Sequence, residues 1–146
     1  MNEPKLLLVD DEVPFIEAIS KRLKKRNFNV EMAHSGMEAL ERLGSGNFDP
    51  EVVILDVKMP GMDGIETLEE IKRKYPLVEV IMLTGHATVP SAIDGMKKGA
   101  FDYLMKPCDM EVLVTKVGEA VAKKRAQESK IVEARMKDIM RRKGFD

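Results

Sequence analysis

The sequence predicts an α/β fold: a doubly wound, five-stranded parallel sheet with helices on both faces. Short apolar runs alternate along the chain with longer segments of helical period. Five strand–helix pairs of this length imply a parallel sheet covered on both sides and joined by right-handed crossovers. The composition agrees, because 44% hydrophobic and 34% charged residues describe a globular chain rather than a disordered one. A chain of 146 residues favours one domain with a core that needs no staples.

The elements follow in order. Lys5 to Val9 reads as a strand buried on both faces. Val13 to Arg26 reads as a helix, with Phe15, Ile16, Ile19 and Leu23 at helical spacing. Asn27 to Ala33 alternates Phe28, Val30 and Met32 against Asn29 and Glu31, as a second strand does. Ser35 can cap the next helix, with Glu38 as its capping-box partner, and Gly44 to Asn47 ends that helix. Val52 to Leu55 is a third strand running into Asp56, followed by the Pro- and Gly-rich loop Met59 to Gly64. Ile65 to Lys74 is a helix closed by Tyr75-Pro76. Val78 to Leu83 is the fourth strand, and Thr88 to Lys98 a helix with Pro90 in its first turn. Phe101 to Met105 is the fifth strand, and Asp109 caps a last helix starting near Met110. From about Val121 the helical pattern runs on to Arg142 with a narrow stripe of Val132, Met136 and Ile139. The tail is net basic, whereas the front of the chain is acidic.

Several classes of function are excluded or disfavoured. Neither Gly-x-Gly-x-x-Gly nor a Walker A sequence is present, so a nucleotide-binding fold lacks its phosphate loop. A formal charge of -1 is not that of a polyanion binder. The basic tail lacks interleaved aromatics, so nucleic-acid binding by this chain alone is not expected. Leu6 to Val9 is too short for a signal peptide or a membrane span. One cysteine, Cys108, cannot form an intramolecular disulfide, and the expected setting is the reducing cytoplasm.

Ligands of a doubly wound sheet sit beyond the carboxyl ends of its strands. Asp10 and Asp11 follow the first strand, Asp56 the third, Thr84 the fourth and Lys106 the fifth, so all five face one crevice. Three carboxylates packed together repel one another, and a divalent cation relieves that repulsion. Magnesium takes oxygen ligands and commonly uses one or two carboxylates together with a substrate phosphate. A carboxylate beside such a metal can attack phosphorus to give an acyl phosphate. Lys106 can then contact the phosphoryl oxygens as a point charge and Thr84 as a hydroxyl donor. Positioning and charge neutralisation supply most of what phosphoryl transfer needs.

The residues that carry this chemistry stand in four runs: Leu8 to Glu12, Val53 to Gly64, Met82 to His86, and Gly99 to Pro107. In these runs the chain resembles the receiver domain of two-component response regulators, over about Lys5 to Ala122. The resemblance implies a flavodoxin-like sheet of strand order 2-1-3-4-5. It implies that Asp56 is the phosphoacceptor, served by a histidine kinase or phosphotransfer protein. It implies that Asp11, Asp56 and the backbone carbonyl of Lys58 ligate magnesium, with Asp10 acting through a metal-bound water. Lys106 would pair with Asp56 and then with the phosphoryl group, and Lys106-Pro107 would be a cis peptide. Thr84 would swing to the phosphoryl oxygen while Tyr103 turns inward. The face of the fourth helix, fifth strand and fifth helix would meet an output protein or output domain. On this reading residues 1–122 form the receiver, and 123–146 form a basic helical tail or linker that could also mediate homodimerisation.

Plainer readings accompany these. Asp10-Asp11 alone is equally a helix cap, core filling is the lesser reading of Tyr103, and Cys108 is a small packing residue. Lys58 and His86 either tune the phosphoryl lifetime or are ordinary loop residues. Pro90 and Gly95 depart from the family pattern and are expected to weaken the fourth helix locally. An aspartyl-phosphate hydrolase is disfavoured, because the position two after Asp56 holds Lys58 rather than an acid and no cap domain exists. The expectation is a switch rather than an enzyme, either free-standing or cut from a longer DNA-binding regulator.

Overall fold

The computed structural model describes residues 3–144. The outermost positions of the expected receiver and tail, 1–2 and 145–146, lie outside that range. The elements are β1(Lys5–Val9), α1(Val13–Lys25), β2(Asn29–Ala33), α2(Gly36–Ser45), β3(Val52–Leu55), α3(Gly64–Lys74), β4(Glu79–Thr84), α4(Val89–Lys97), β5(Asp102–Met105) and α5(Met110–Arg142). All strand pairings are parallel, in the order β2-β1-β3-β4-β5. The chain is therefore the five-stranded doubly wound sheet expected, with a C-terminal helical extension.

The central strands are apolar on both faces because two helical layers cover them. On one face Leu6, Leu8, Ile54, Ile81 and Leu83 pack against Ile16, Ile19 and Leu23 of α1 and Leu113, Val117 and Ala120 of α5. On the other, Leu7, Val9, Val53, Leu55, Val80 and Met82 meet Ala39 and Leu43 of α2 and Leu68 and Ile71 of α3. Helix α4 is attached more lightly: Gly95 is its sole fully buried residue.

Several boundaries shift by one or two residues, each for a local reason. Asn27 takes a left-handed conformation with φ 67, and the Phe28 N–H donates to the Leu23 carbonyl. Both residues thus close α1, and β2 starts at Asn29. The Val78 N–H donates to the Tyr75 carbonyl, so a turn delays β4 to Glu79. Thr84 is the last residue of β4, not the first after it. Ser35 caps α2 through the Glu38 N–H at 3.1 Å, the Glu38 carboxylate accepts from the His34 N–H rather than completing a capping box with Ser35, and Gly46, at φ 75, ends that helix two residues beyond Gly44. Despite Pro90, α4 begins with a closed capping box between Thr88 and Ser91.

Helix α5 runs without a break through Ala122 to Arg142. Its buried residues stop at Val121. Beyond that point two ion pairs tie it to the lower edge of the sheet. Arg125 clasps Glu51 with two bonds of 2.6 and 2.9 Å, and Lys123 lies 3.5 Å from the buried Glu79. Val132, Met136 and Ile139 are exposed. No helix among the described residues is long and apolar enough to cross a membrane.

Gly64 starts α3 where its backbone N–H donates to the Val57 carbonyl at 2.7 Å. A Cβ there would overlap the Asp56 carbonyl and lie 2.7 Å from the Val57 Cα, both of them backbone. Gly118, by contrast, has nothing within 4 Å of such a Cβ and sits inside α5. Urea denaturation should therefore show Gly64→Ala destabilised by about 1–3 kcal/mol and Gly118→Ala stabilised by about 1 kcal/mol. Equal effects of one sign would contradict this packing.

Candidate functional site

The sheet itself carries the polar groups to one edge. Asp10, Asp56 and Lys106 each stand one residue past a strand, yet each backbone N–H continues the ladder. The Asp10 N–H donates to the Ala33 carbonyl at 3.1 Å, the Asp56 N–H to Val9 at 3.0 Å, and the Lys106 N–H to Thr84 at 2.9 Å. Their side chains thus leave rigid backbone rather than mobile loop. The strand order reverses between β1 and β3, and this is where a doubly wound sheet opens a crevice.

Asp10 and Asp56 are buried, at 4% and 2% exposure, whereas Asp11 is exposed. Each of the three offers a carboxylate oxygen, and these oxygens lie within 4.8 Å of one another. One Asp10 oxygen accepts from the Glu12 N–H at 2.9 Å. One Asp56 oxygen accepts from the Val57 N–H at 2.8 Å. Both aspartates keep a second oxygen directed to the crevice, where the Lys106 ammonium stands.

Lys106 reaches across from the far side of β4. Its Nζ lies 2.6 Å from Asp10, 2.8 Å from Glu12 and 3.7 Å from Asp56. It also sits 4.0 Å from the centre of the Phe15 ring, a favourable cation–π distance. Burial opposes the charge on Lys106, but the hydrogen bonds to Asp10 and Glu12 outweigh it and raise its pKa above the ordinary lysine value. For Asp10 burial wins: desolvation, helped by the charge of Asp56, raises its pKa although Lys106 pulls the other way. The Lys106 hydrogen bond lowers the pKa of Glu12.

The expected site residues divide into two groups. Asp10, Asp11, Asp56 and Lys106 come together. Thr84 is fully buried at the end of β4, and its hydroxyl accepts the His86 N–H at 3.0 Å. Tyr103 packs toward α4, with its hydroxyl 2.7 Å from Ser91 Oγ. Lys58 and His86 are exposed on loops beside the crevice. The Lys106-Pro107 peptide is cis.

Three participants are not found by reading the sequence for chemistry. Glu12 stands at the N-cap of α1 but makes no side-chain cap; its carboxylate goes to Lys106 instead. Its place directly after Asp10-Asp11 is the one available signal. Phe15 reads only as a core residue, and Ser91 only as part of a helix start.

Comparison with known proteins places this geometry in a family. The family model of the response regulator receiver domain matches residues 6–118. The transcriptional regulatory protein ZraR of Klebsiella oxytoca is 38% identical over 128 residues, covering 88% of this chain and 28% of that protein. The DNA-binding transcriptional regulator NtrC of Escherichia coli is 35% identical over 115 residues, 79% of this chain and 24% of that one. The chain thus spans about a quarter of the length of these curated relatives. Among solved structures, a response regulator receiver domain from Clostridium thermocellum aligns with TM-score 0.80 at 36% identity, over 85% of this chain and 98% of that one. A CheY-like receiver domain from Methanospirillum hungatei aligns with TM-score 0.81 at 27% identity, over 86% and 99%. The fold and the acidic edge define a signalling module of the two-component class. The chain belongs to the response regulator receiver family.

The buried, crowded Asp10 carboxylate sets a testable stability balance. Its pKa is raised on folding, so ionised Asp10 destabilises the folded state, increasingly as pH climbs from the unfolded value near 3.9 through the folded one. Asp10→Asn keeps an acceptor for Lys106 and removes one charge. In metal-free buffer at neutral pH it should raise Tm by about 4 °C, on the scale of 1 kcal/mol for a domain of this size. The gain should vanish toward pH 4. A lowered Tm at neutral pH would show that the Lys106 pairing outweighs the crowding.

Proposed function

We propose that this chain is a phosphorylation-dependent switch in which Asp56 accepts a phosphoryl group from a histidine kinase or a phosphotransfer protein. The observation that carries the reading is Asp56 itself. It is 2% exposed, has one oxygen tied to the Val57 N–H, and lies 3.7 Å from the Lys106 ammonium. A carboxylate so fixed presents its second oxygen to the crevice in one orientation, as in-line attack on phosphorus requires. The bond formed is Asp56 Oδ to phosphorus, and the bond broken is from phosphorus to the donor nitrogen, which leaves with the electron pair.

The oxygen set fits magnesium, a hard cation that takes carboxylates and water. On this reading Asp11, Asp56 and the Lys58 carbonyl hold it directly and Asp10 holds it through water. When bound, the ion supplies positive charge against the phosphoryl oxygens. The protein's own groups do the remaining work. Lys106 transfers from Glu12 and Asp10 to a phosphoryl oxygen, and Thr84 gives up the His86 N–H to donate its hydroxyl to another. The new group brings about −1.5 to −2 charges. Tyr103 then moves into the space that Thr84 leaves, and the surface of α4, β5 and α5 changes for its partner. Val89, Ile93, Met96 and Met105 are exposed on that surface, as suits a docking face. The switch works in the cytoplasm, where the lone Cys108 stays reduced.

The long relatives favour one setting. ZraR and NtrC are named as transcriptional regulators, and this chain matches about a quarter of each. The chain then serves as the receiver portion of a DNA-binding regulator, with residues 123–142 as the helical linker to the output module. A homodimer through the exposed Val132, Met136 and Ile139 is a further use of the same helix.

The test is intact mass after exposure to a small phosphodonor. Wild type should gain one phosphoryl group only when magnesium is present, and Asp56→Asn should gain none. Lys106→Met should slow uptake by a factor of about 10 or more, the loss of a charge-assisted contact worth roughly 1.5–3 kcal/mol. Unchanged uptake in Asp56→Asn would move the acceptor elsewhere, and no uptake by wild type beside an active control receiver would refute the small-donor form.

A further inference from the structure

The two residues expected to move on phosphorylation are both held by the segment between β4 and the first turn of α4. Thr84 Oγ1 accepts the N–H of His86, two residues on. The Tyr103 hydroxyl lies 2.7 Å from Ser91 Oγ, at the third position of α4. The second contact lies outside the acidic site.

Ser91 Oγ is a crowded atom. Besides Tyr103 it has the Thr88 N–H at 3.1 Å, the Thr88 hydroxyl at 2.9 Å and the Thr88 carbonyl at 3.0 Å. A serine hydroxyl has one proton and two lone pairs. Its proton can go to the Thr88 carbonyl, which only accepts, or to the Tyr103 hydroxyl, since either hydroxyl of that pair can donate. Four neighbours thus compete for three hydrogen-bonding places. The capping box is complete without Tyr103, so the tyrosine can leave while α4 keeps its cap. Gly95 lies beside the ring: an added Cβ there would be in ordinary contact with it, 3.5 Å from Tyr103 Cδ2. Little else fixes α4, because Gly95 is its one fully buried residue.

We infer that Ser91 is a positioning residue of the switch: its hydroxyl latches Tyr103 to the capped start of α4 and so holds the unphosphorylated arrangement. The inference rests on the phosphorylation reading above and adds the group against which the switch must pull. Phosphorylation draws Thr84 away from the His86 N–H. The β4–α4 segment then shifts, Ser91 lets go of the Tyr103 hydroxyl, and the ring is free to turn. By reciprocity, weakening the latch raises the population of the arrangement that receives the phosphoryl group.

The experiment is a double-mutant cycle on the full chain with Ser91→Ala, Tyr103→Phe and the double variant. Uptake of phosphoryl from a small phosphodonor with magnesium is followed by intact mass. The Tyr103 ring signals are followed by NMR without donor, with Tyr75→Phe to assign them. Ser91→Ala should speed uptake roughly fivefold, the scale of one net hydrogen bond. Tyr103→Phe leaves the capping box whole and should speed it similarly, and the double variant should go no further than either single change. Without donor, Ser91→Ala should shift the Tyr103 ring signals. An unchanged rate in Ser91→Ala overturns the latch, and so does a full Ser91→Ala effect in the Tyr103→Phe background, which would assign the effect to the helix cap alone. If wild type takes up no phosphoryl group, the phosphorylation reading fails and the ring signals decide the latch: unchanged signals in Ser91→Ala overturn it.

Discussion

One ammonium group set among three carboxylates governs the active edge of this molecule. Lys106 Nζ touches Asp10 and Glu12 and stands 3.7 Å from Asp56. Without it, two buried carboxylates from adjacent strands would face each other with no counter-charge, and removing one partner of a buried pair is costly because the other is left unpaired. The distances also rank its partners. Lys106 is closest to the groups that are not the proposed acceptor, and Asp56 is the one it reaches least. A cation placed in this way balances the charge at rest and still has a short path to an oxygen that arrives on Asp56.

The rest of the fold serves this placement. Sheet hydrogen bonds continue one residue past β1, β3 and β5, so backbone ladder rather than loop holds the charged side chains. Two apolar layers keep that ladder stiff from both sides. Glu12 shows a local cost: it occupies the N-cap of α1, where a Ser, Thr, Asp or Asn cap would contribute about 1 kcal/mol, makes no side-chain cap and holds Lys106 instead. The other end of the sheet is organised differently. There Glu51 and Glu79 hold Arg125 and Lys123, and these pairs set the direction in which α5 leaves the body. On the proposed function the site edge exchanges partners, whereas the lower edge anchors α5.

Legibility in the sequence followed the range of the interactions. β1 and β3 were readable because strands covered on both faces carry unbroken apolar runs, and α2 was readable from Ser35 and Glu38, three residues apart. The strand-end logic alone brings Asp10, Asp11, Asp56 and Lys106 to one edge. The order of strands came through family resemblance, because alternating elements alone do not say which strands are neighbours. Hydrophobic pattern assigns Asn27 and Phe28 to β2, because a left-handed backbone at Asn27 leaves no mark in it. The hold of Glu12 on Lys106 spans 94 positions and that of Ser91 on Tyr103 spans 12. Side-chain contacts across elements depend on register and rotamer, and neither has a local signature.

The most direct test of the central claim is a crystal structure of the full chain with magnesium and beryllofluoride, a stable mimic of a phosphoryl group on a carboxylate. The account predicts beryllium bonded to an Asp56 oxygen, Lys106 Nζ within hydrogen-bond distance of a fluoride, and the Glu12 contact broken. A fluoride complex on another residue, or Lys106 still resting on Asp10 and Glu12 beside an occupied Asp56, would contradict it.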